Sequence, residues 1–145
     1  LRELEDFVLI VLAAVVVACL FALATPAKAQ SASLTLDWTS PGDDGNVGTA
    51  ATYEMRYRSV APSDTTQAAI ATWWTSATPV TGLPAPAIAG TLQSATINGL
   101  SMGVTYWIVM RTADEVPNWS LYSNVASKFI PDTVPPAKIT DERVR

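Results

Sequence analysis

Between Leu34 and Phe129 the side chains of this chain alternate in character. Leu34, Leu36 and Trp38 are apolar, and Thr35 and Asp37 between them are polar. Tyr53, Met55 and Tyr57 take turns with Glu54, Arg56 and Arg58, and Tyr106, Ile108 and Met110 with Trp107, Val109 and Arg111. Successive side chains of a strand point to opposite faces, so a period of two predicts strands with one face buried. Such a face must be covered, and nothing else in this region carries a helical stripe to cover it. The strands are therefore expected to form two layers around a shared core. The predicted fold class is all-β, a β-sandwich preceded by an N-terminal apolar helix or signal segment.

Punctuation between the runs supports this division. Pro41-Gly42-Asp43-Asp44-Gly45-Asn46 is a dense turn signal. Ala95 and Ile97 predict a short strand ending at Asn98-Gly99. Thr112 to Ser120, broken by Pro117, reads as a loop, and Leu121 to Ile130 as a final strand. The stretch from Ser59 to Leu92 is the least regular. Its Pro62, Pro79, Pro84 and Pro86, with Gly82 and Gly90, forbid a long central strand or a long helix. Within it, Ala68 to Trp74 is compatible with a short strand or one helical turn, and Trp73 and Trp74 are expected to pin the segment to the edge of the sandwich.

The ends have a different composition. Phe7 to Ala24 is an uninterrupted apolar run of 18 residues, followed by Thr25-Pro26-Ala27-Lys28-Ala29. An apolar stretch closed by small residues at Ala27 and Ala29 is the pattern of an export signal cleaved after Ala29. Three other readings stay open. The run is near the lower limit for spanning a bilayer and can serve as a retained anchor. Val16-Val17-Ala18-Cys19 resembles a lipoprotein processing box, although apolar residues continue beyond Cys19. Glu5 ahead of an apolar helix resembles mature type IV pilin subunits. After Pro131 comes a Pro-rich joint with Pro135 and Pro136. The expected organisation is 1–29 signal peptide or membrane segment, 30–131 folded domain, and 132–145 linker with the possible start of a second domain, the whole being a piece of a longer protein.

Several motifs of the body resemble fibronectin type III domains, in the variety found in bacterial and archaeal secreted proteins. Leu34-Thr35-Leu36-Asp37-Trp38 resembles strand B of that family and Tyr53-Glu54-Met55-Arg56-Tyr57-Arg58 its strand C. Leu100 to Tyr106 resembles the turn between strands E and F, and Ser120-Leu121-Tyr122-Ser123-Asn124-Val125 the start of strand G. The resemblance implies an immunoglobulin-like sandwich in which Trp38 lies in the core and the hydroxyl of Tyr106 bonds to nearby backbone. The sequence departs from the pattern in two places. Proline is missing from the corner turn near Met102, and strand A has no counterpart between Ala29 and Leu34. Pro135-Pro136-Ala137-Lys138-Ile139-Thr140-Asp141 is similar to a strand A. It is expected either to begin a second domain or to supply the missing edge strand to this domain or to a neighbouring molecule.

The residue inventory narrows the chemistry. The chain has no His, and its only cysteine, Cys19, lies in the apolar leader. The usual neutral-pH acid–base group is therefore absent, and no disulfide or cysteine metal site is expected in the body. A net charge of −4 does not suit a nucleic-acid footprint. No catalytic, cofactor-binding or metal residue is assigned, and the chain is not expected to be an enzyme. Two groupings have a binding alternative beside a structural one. The loop with Asp43, Asp44 and Asn46 is expected to approach that with Asp114, Glu115 and Asn118; such oxygen ligands suit a hard cation, but all are also ordinary turn residues. Arg56, Arg58 and Arg111 are expected to share an outer face with Trp107, as a patch for an acidic or carbohydrate partner or as a solvated face with cation–π contacts. Asn118-Trp119-Ser120 fits the glycosylation triplet.

The function expected from these observations is a non-catalytic extracellular spacer or display module, secreted or at the cell surface. The alternatives are adhesion or ligand binding, and a subunit of a pilus-like filament. Neighbouring domains of the same chain are the expected partners, with an extracellular protein or polysaccharide as a second class. Membrane contact is expected only if residues 7–24 are retained.

Overall fold

A computed structural model describes residues 31–143. The export-signal, anchor, lipoprotein and pilin readings all fall on residues outside this range. Strands make up most of the regular structure among the described residues. Strands β1 (Ser31–Thr39), β2 (Thr52–Arg58), β3 (Thr78–Pro79), β4 (Leu92–Ser101), β5 (Val104–Ala113) and β6 (Ala126–Ile130) are joined by one short helix, α1 (Gln67–Trp74), between β2 and β3. They form two antiparallel sheets, a two-stranded one in the order β1–β4 and a four-stranded one in the order β3–β2–β5–β6.

The alternation read from the sequence is what joins the two sheets. Met55, Tyr106, Ile108 and Ile130 of the larger sheet and Ile97 and Leu100 of the smaller one belong to a single buried cluster. Leu34, Leu36 and Trp38 of β1 pack against it without being fully buried. Outward-facing residues of β1 are Ser31, Ser33, Thr35, Asp37 and Thr39, all exposed. Thr35 and Thr96 meet across the β1–β4 pair through their hydroxyls, 2.9 Å apart.

The outer face of the larger sheet is not left to solvent. Helix α1 lies over it and creates a second core of Ile70, Trp73, Trp74 and Ala77 with Val109 of β5. Thr66 caps the helix, its Oγ1 accepting from Ala69 N at 3.3 Å, and Asp64 in turn accepts from the Thr66 backbone and hydroxyl. Buried positions 70, 73 and 74 recur at the spacing of one helix face. Trp73 and Trp74 thus cover the sheet's face and do not pin a sandwich edge; the Trp73 indole also donates to Val60 O at 2.6 Å.

Two other boundaries differ from expectation. Asn98-Gly99 does not end a strand. The β1–β4 register shifts between Ala32 and Leu34, with two residues, Asn98 and Gly99, opposite Ser33, and Gly99 adopts φ 77°. This is a bulge, which lets β4 continue to Ser101. The final strand begins at Ala126, not Leu121. Upstream of it, Ser120 and Ser123 each replace part of the ladder. Ser120 N donates to Thr112 O and its Oγ accepts from Thr112 N; Ser123 makes the same pair of bonds with Met110. A spacing of three on one side meets a spacing of two on β5, so side chains complete what backbone alone cannot.

Candidate functional site

The β-strand registers define two poles. Ser31 pairs with Ser101 and Val104 with Ile130, so the start of β1, the β4–β5 turn and the end of β6 share one pole. At the other, Thr39 pairs with Leu92 and Thr52 with Ala113. The connections 40–51, 80–91 and 114–119 therefore converge there, tied by Gly90 N to Ser40 O and Ala89 N to Gly48 O.

The two acidic loops do meet at that second pole. Partial desolvation, then the carboxylates of Glu115, Asp44 and Asp114, hold the Asp43 carboxyl above its usual range. Asp114 is held below its usual range, chiefly by the side chain and backbone N–H of Asn118. Its Oδ1 accepts from Val116 N and Asn118 N, and its Oδ2 from Asn118 Nδ2 at 2.7 Å. Asp114 and Asn118 therefore fasten their own loop. Among the described residues no group of three or more acidic, His or Cys side chains is placed to hold a metal ion. The amide nitrogen of Asn118, which a glycan would take, is the group that donates to Asp114.

Beneath this pole sits a polar hub centred on Gln93. Its Oε1 accepts from Ser40 Oγ at 2.6 Å, Tyr53 OH at 2.8 Å and Ala87 N at 3.1 Å, while its Nε2 donates to Ala85 O. Ser40 is buried and its hydroxyl proton is committed to Gln93, which makes it a fastening group and not a nucleophile. Gln93 was legible in principle, because the alternation that turns Ala95 and Ile97 inward turns Gln93 inward as well.

On the outer face of the larger sheet, Arg56, Arg58 and Arg111 lie together with Trp107, which stands opposite Arg58, as expected; the rings stacked on Arg56 and Arg111, however, come from other segments. The Arg56 and Arg111 guanidinium carbons stand 5.0 and 5.1 Å from the Trp74 ring, and that of Arg111 also stands 4.1 Å from the Trp119 ring. Glu54 clamps both cations, with Oε1 to Arg56 Nη2 at 2.7 Å and Oε2 to Arg111 Nη2 at 2.6 Å. Partial burial opposes ionisation of Glu54, but the hydrogen bonds from Arg56 and Arg111 outweigh it and keep its pKa below the ordinary glutamate range. Arg58 turns instead to Ser76 Oγ at 2.7 Å. This is an interleaved stack of cations and rings that binds α1 and the 119–122 segment to the sheet.

The third feature was not read from the sequence. A cleft of about 440 Å³ opens along one flank, between β1 and the segment that leads into β6. Leu36 and Trp38 form one wall, and Met110, Leu121, Asn124 and Ala126 the other. The Trp38 indole N–H is buried without a hydrogen-bond partner among the described residues, and the ring meets Tyr53 edge-on at 5.5 Å. No family model, curated protein or solved structure matches the chain.

Proposed function

We propose that residues 30–131 are a fibronectin type III-like module, a non-catalytic extracellular unit of a larger secreted protein, and that its task is display. The observation that carries this reading is where β1 begins and β6 ends. The chain enters β1 at Ser31 and leaves β6 at Ile130 at one pole, and the three loop connections converge at the other. An in-line spacer holds its neighbours at opposite poles, whereas a module held at one pole presents the other. The strand order β3–β2–β5–β6 beside β1–β4 agrees with the fibronectin type III resemblance, less its first strand. So does Tyr106, whose hydroxyl accepts from Ser101 N at 3.0 Å. A non-catalytic role is supported by how the polar groups are used: Ser40, Ser120, Ser123, Glu54 and Asp114 are all engaged in holding backbone or side chains in place.

A short epitope inserted after Gly45 tests the proposal. Gly45 lies in an exposed turn with φ 65° and nothing within 4 Å of an added Cβ, so an insertion there is expected to be tolerated. Antibody is expected to label intact producing cells or the chain in their medium. Labelling that requires permeabilised cells would contradict export and display together.

A further inference from the structure

The smaller sheet ends on an edge that invites another strand. Among the described residues β1 has one neighbour, β4. It is nine residues long and contains no Pro and no Lys, the devices that usually blunt an edge. The free edge of β6, by contrast, is five residues long and carries Lys128. The inward residues of β1 confirm what is missing. Leu34, Leu36 and Trp38 stay half-exposed while Ile97 and Leu100, on the paired strand, are buried. The flank cleft runs along this side of β1.

The chain also carries a segment suited to that edge. After Ile130 the described residues form no regular structure, and Ile139 is 75% exposed. Ala137-Lys138-Ile139-Thr140 alternates apolar with polar, and Pro135-Pro136 ahead of it cannot donate to a ladder, which limits pairing to the residues that follow. The tail leaves the body at the pole where β1 begins, so its direct course beside its own β1 is parallel, and an antiparallel one requires the Pro-rich joint to climb the strand and turn back. The tail of a second copy has no such restriction and can approach antiparallel, the more stable arrangement per residue.

We infer that β1 binds residues 137–140 of a second copy of this chain as an added antiparallel strand, with Ile139 turned into the flank cleft. Setting Lys138 opposite Asp37 on the outer face puts Thr140 opposite Thr35 and Ile139 opposite Leu36. Asp141 then falls opposite Leu34 near the open pole, where its charge ends the pairing. Because donor and acceptor surfaces are different patches of one molecule, each copy can both give and receive a tail, so the contact closes as a reciprocal pair or a ring, or continues as a chain of copies.

Site-specific cross-linking of the full chain tests this. With Cys19→Ser throughout, one preparation carries Thr35→Cys and the other Thr140→Cys, both at exposed positions. On mild oxidation of the mixture, the mixed disulfide is expected to dominate over either like pair. Adding Ile139→Asp to the Thr140→Cys chain is expected to cut its yield roughly tenfold, since one buried aliphatic side chain carries at least that much affinity. In the unsubstituted chain, amide exchange across Ser31–Thr39 is expected to slow as protein concentration rises. Equal yields for all pairs, indifference to Ile139→Asp, or exchange independent of concentration would overturn the inference. So would a chain carrying both cysteines that closes on itself at every dilution.

Discussion

Glu54 sets the outer face of the larger sheet at the scale of single residues. One carboxylate reaches two guanidinium groups, and both of these groups stand about 5 Å from the Trp74 ring. With about a quarter of its side chain exposed, solvent screens part of the attraction. Glu54→Gln is therefore expected to cost about 1–2 kcal/mol at pH 7, less than a fully buried pair would. The pH dependence has a definite sign. The folded-state pKa lies below that of the unfolded chain, so the contribution is complete above the ordinary glutamate value of about 4.3 and is lost as pH falls through the folded value. Urea unfolding of both proteins at pH 7 and again near the acid end is expected to show the gap closing. Asp43 works in the opposite sense. Its carboxyl is held above its usual range, so its ionisation above that range disfavours the fold.

The strands with a plain period of two were legible at the scale of elements. β2 and β5 run where Tyr53-to-Arg58 and Tyr106-to-Arg111 predicted, because both bury one face on the shared core. Expectation failed where a local signal has two uses. Asn98-Gly99 is a stop in a turn but a bulge inside β4, and only the partner strand decides which. Helix α1 has an ambiguous Ala-rich sequence, and what fixes it is tertiary: a sheet face for Ile70, Trp73 and Trp74 to cover. The Arg face was legible from the alternation in β2 and β5, whereas Trp74 and Trp119 reach it from other segments and left no periodic trace. Ser120 read as the end of a loop and Ser123 as an ordinary strand residue, yet each accepts from an N–H of β5. Ser123→Ala is expected to cost about 1–3 kcal/mol, because the part-buried Met110 N–H loses its acceptor, and Ser120→Ala about 0.5–1.5 kcal/mol, because water can replace the acceptor of the exposed Thr112 N–H. Valine at the same sites, with its higher strand propensity, is not expected to restore stability, and thermal melts of the four variants check both points.

The whole molecule is organised by two poles and two faces. The start of β1 and the end of β6 share one pole, the acidic and Gln93-linked loops form the other, and α1 seals one face of the larger sheet. The flank beside β1 is the side left open, and the proposed strand exchange belongs there. All of this requires the two sheets to enclose one core. Methyl-resolved nuclear Overhauser spectra of the isotope-labelled chain test that most directly. Cross-peaks are expected to link Ile97 and Leu100 of the small sheet with Ile108 and Ile130 of the large one, since all four sit in the same buried cluster. Cross-peaks confined to partners within each sheet would show the sheets standing apart and would contradict the account.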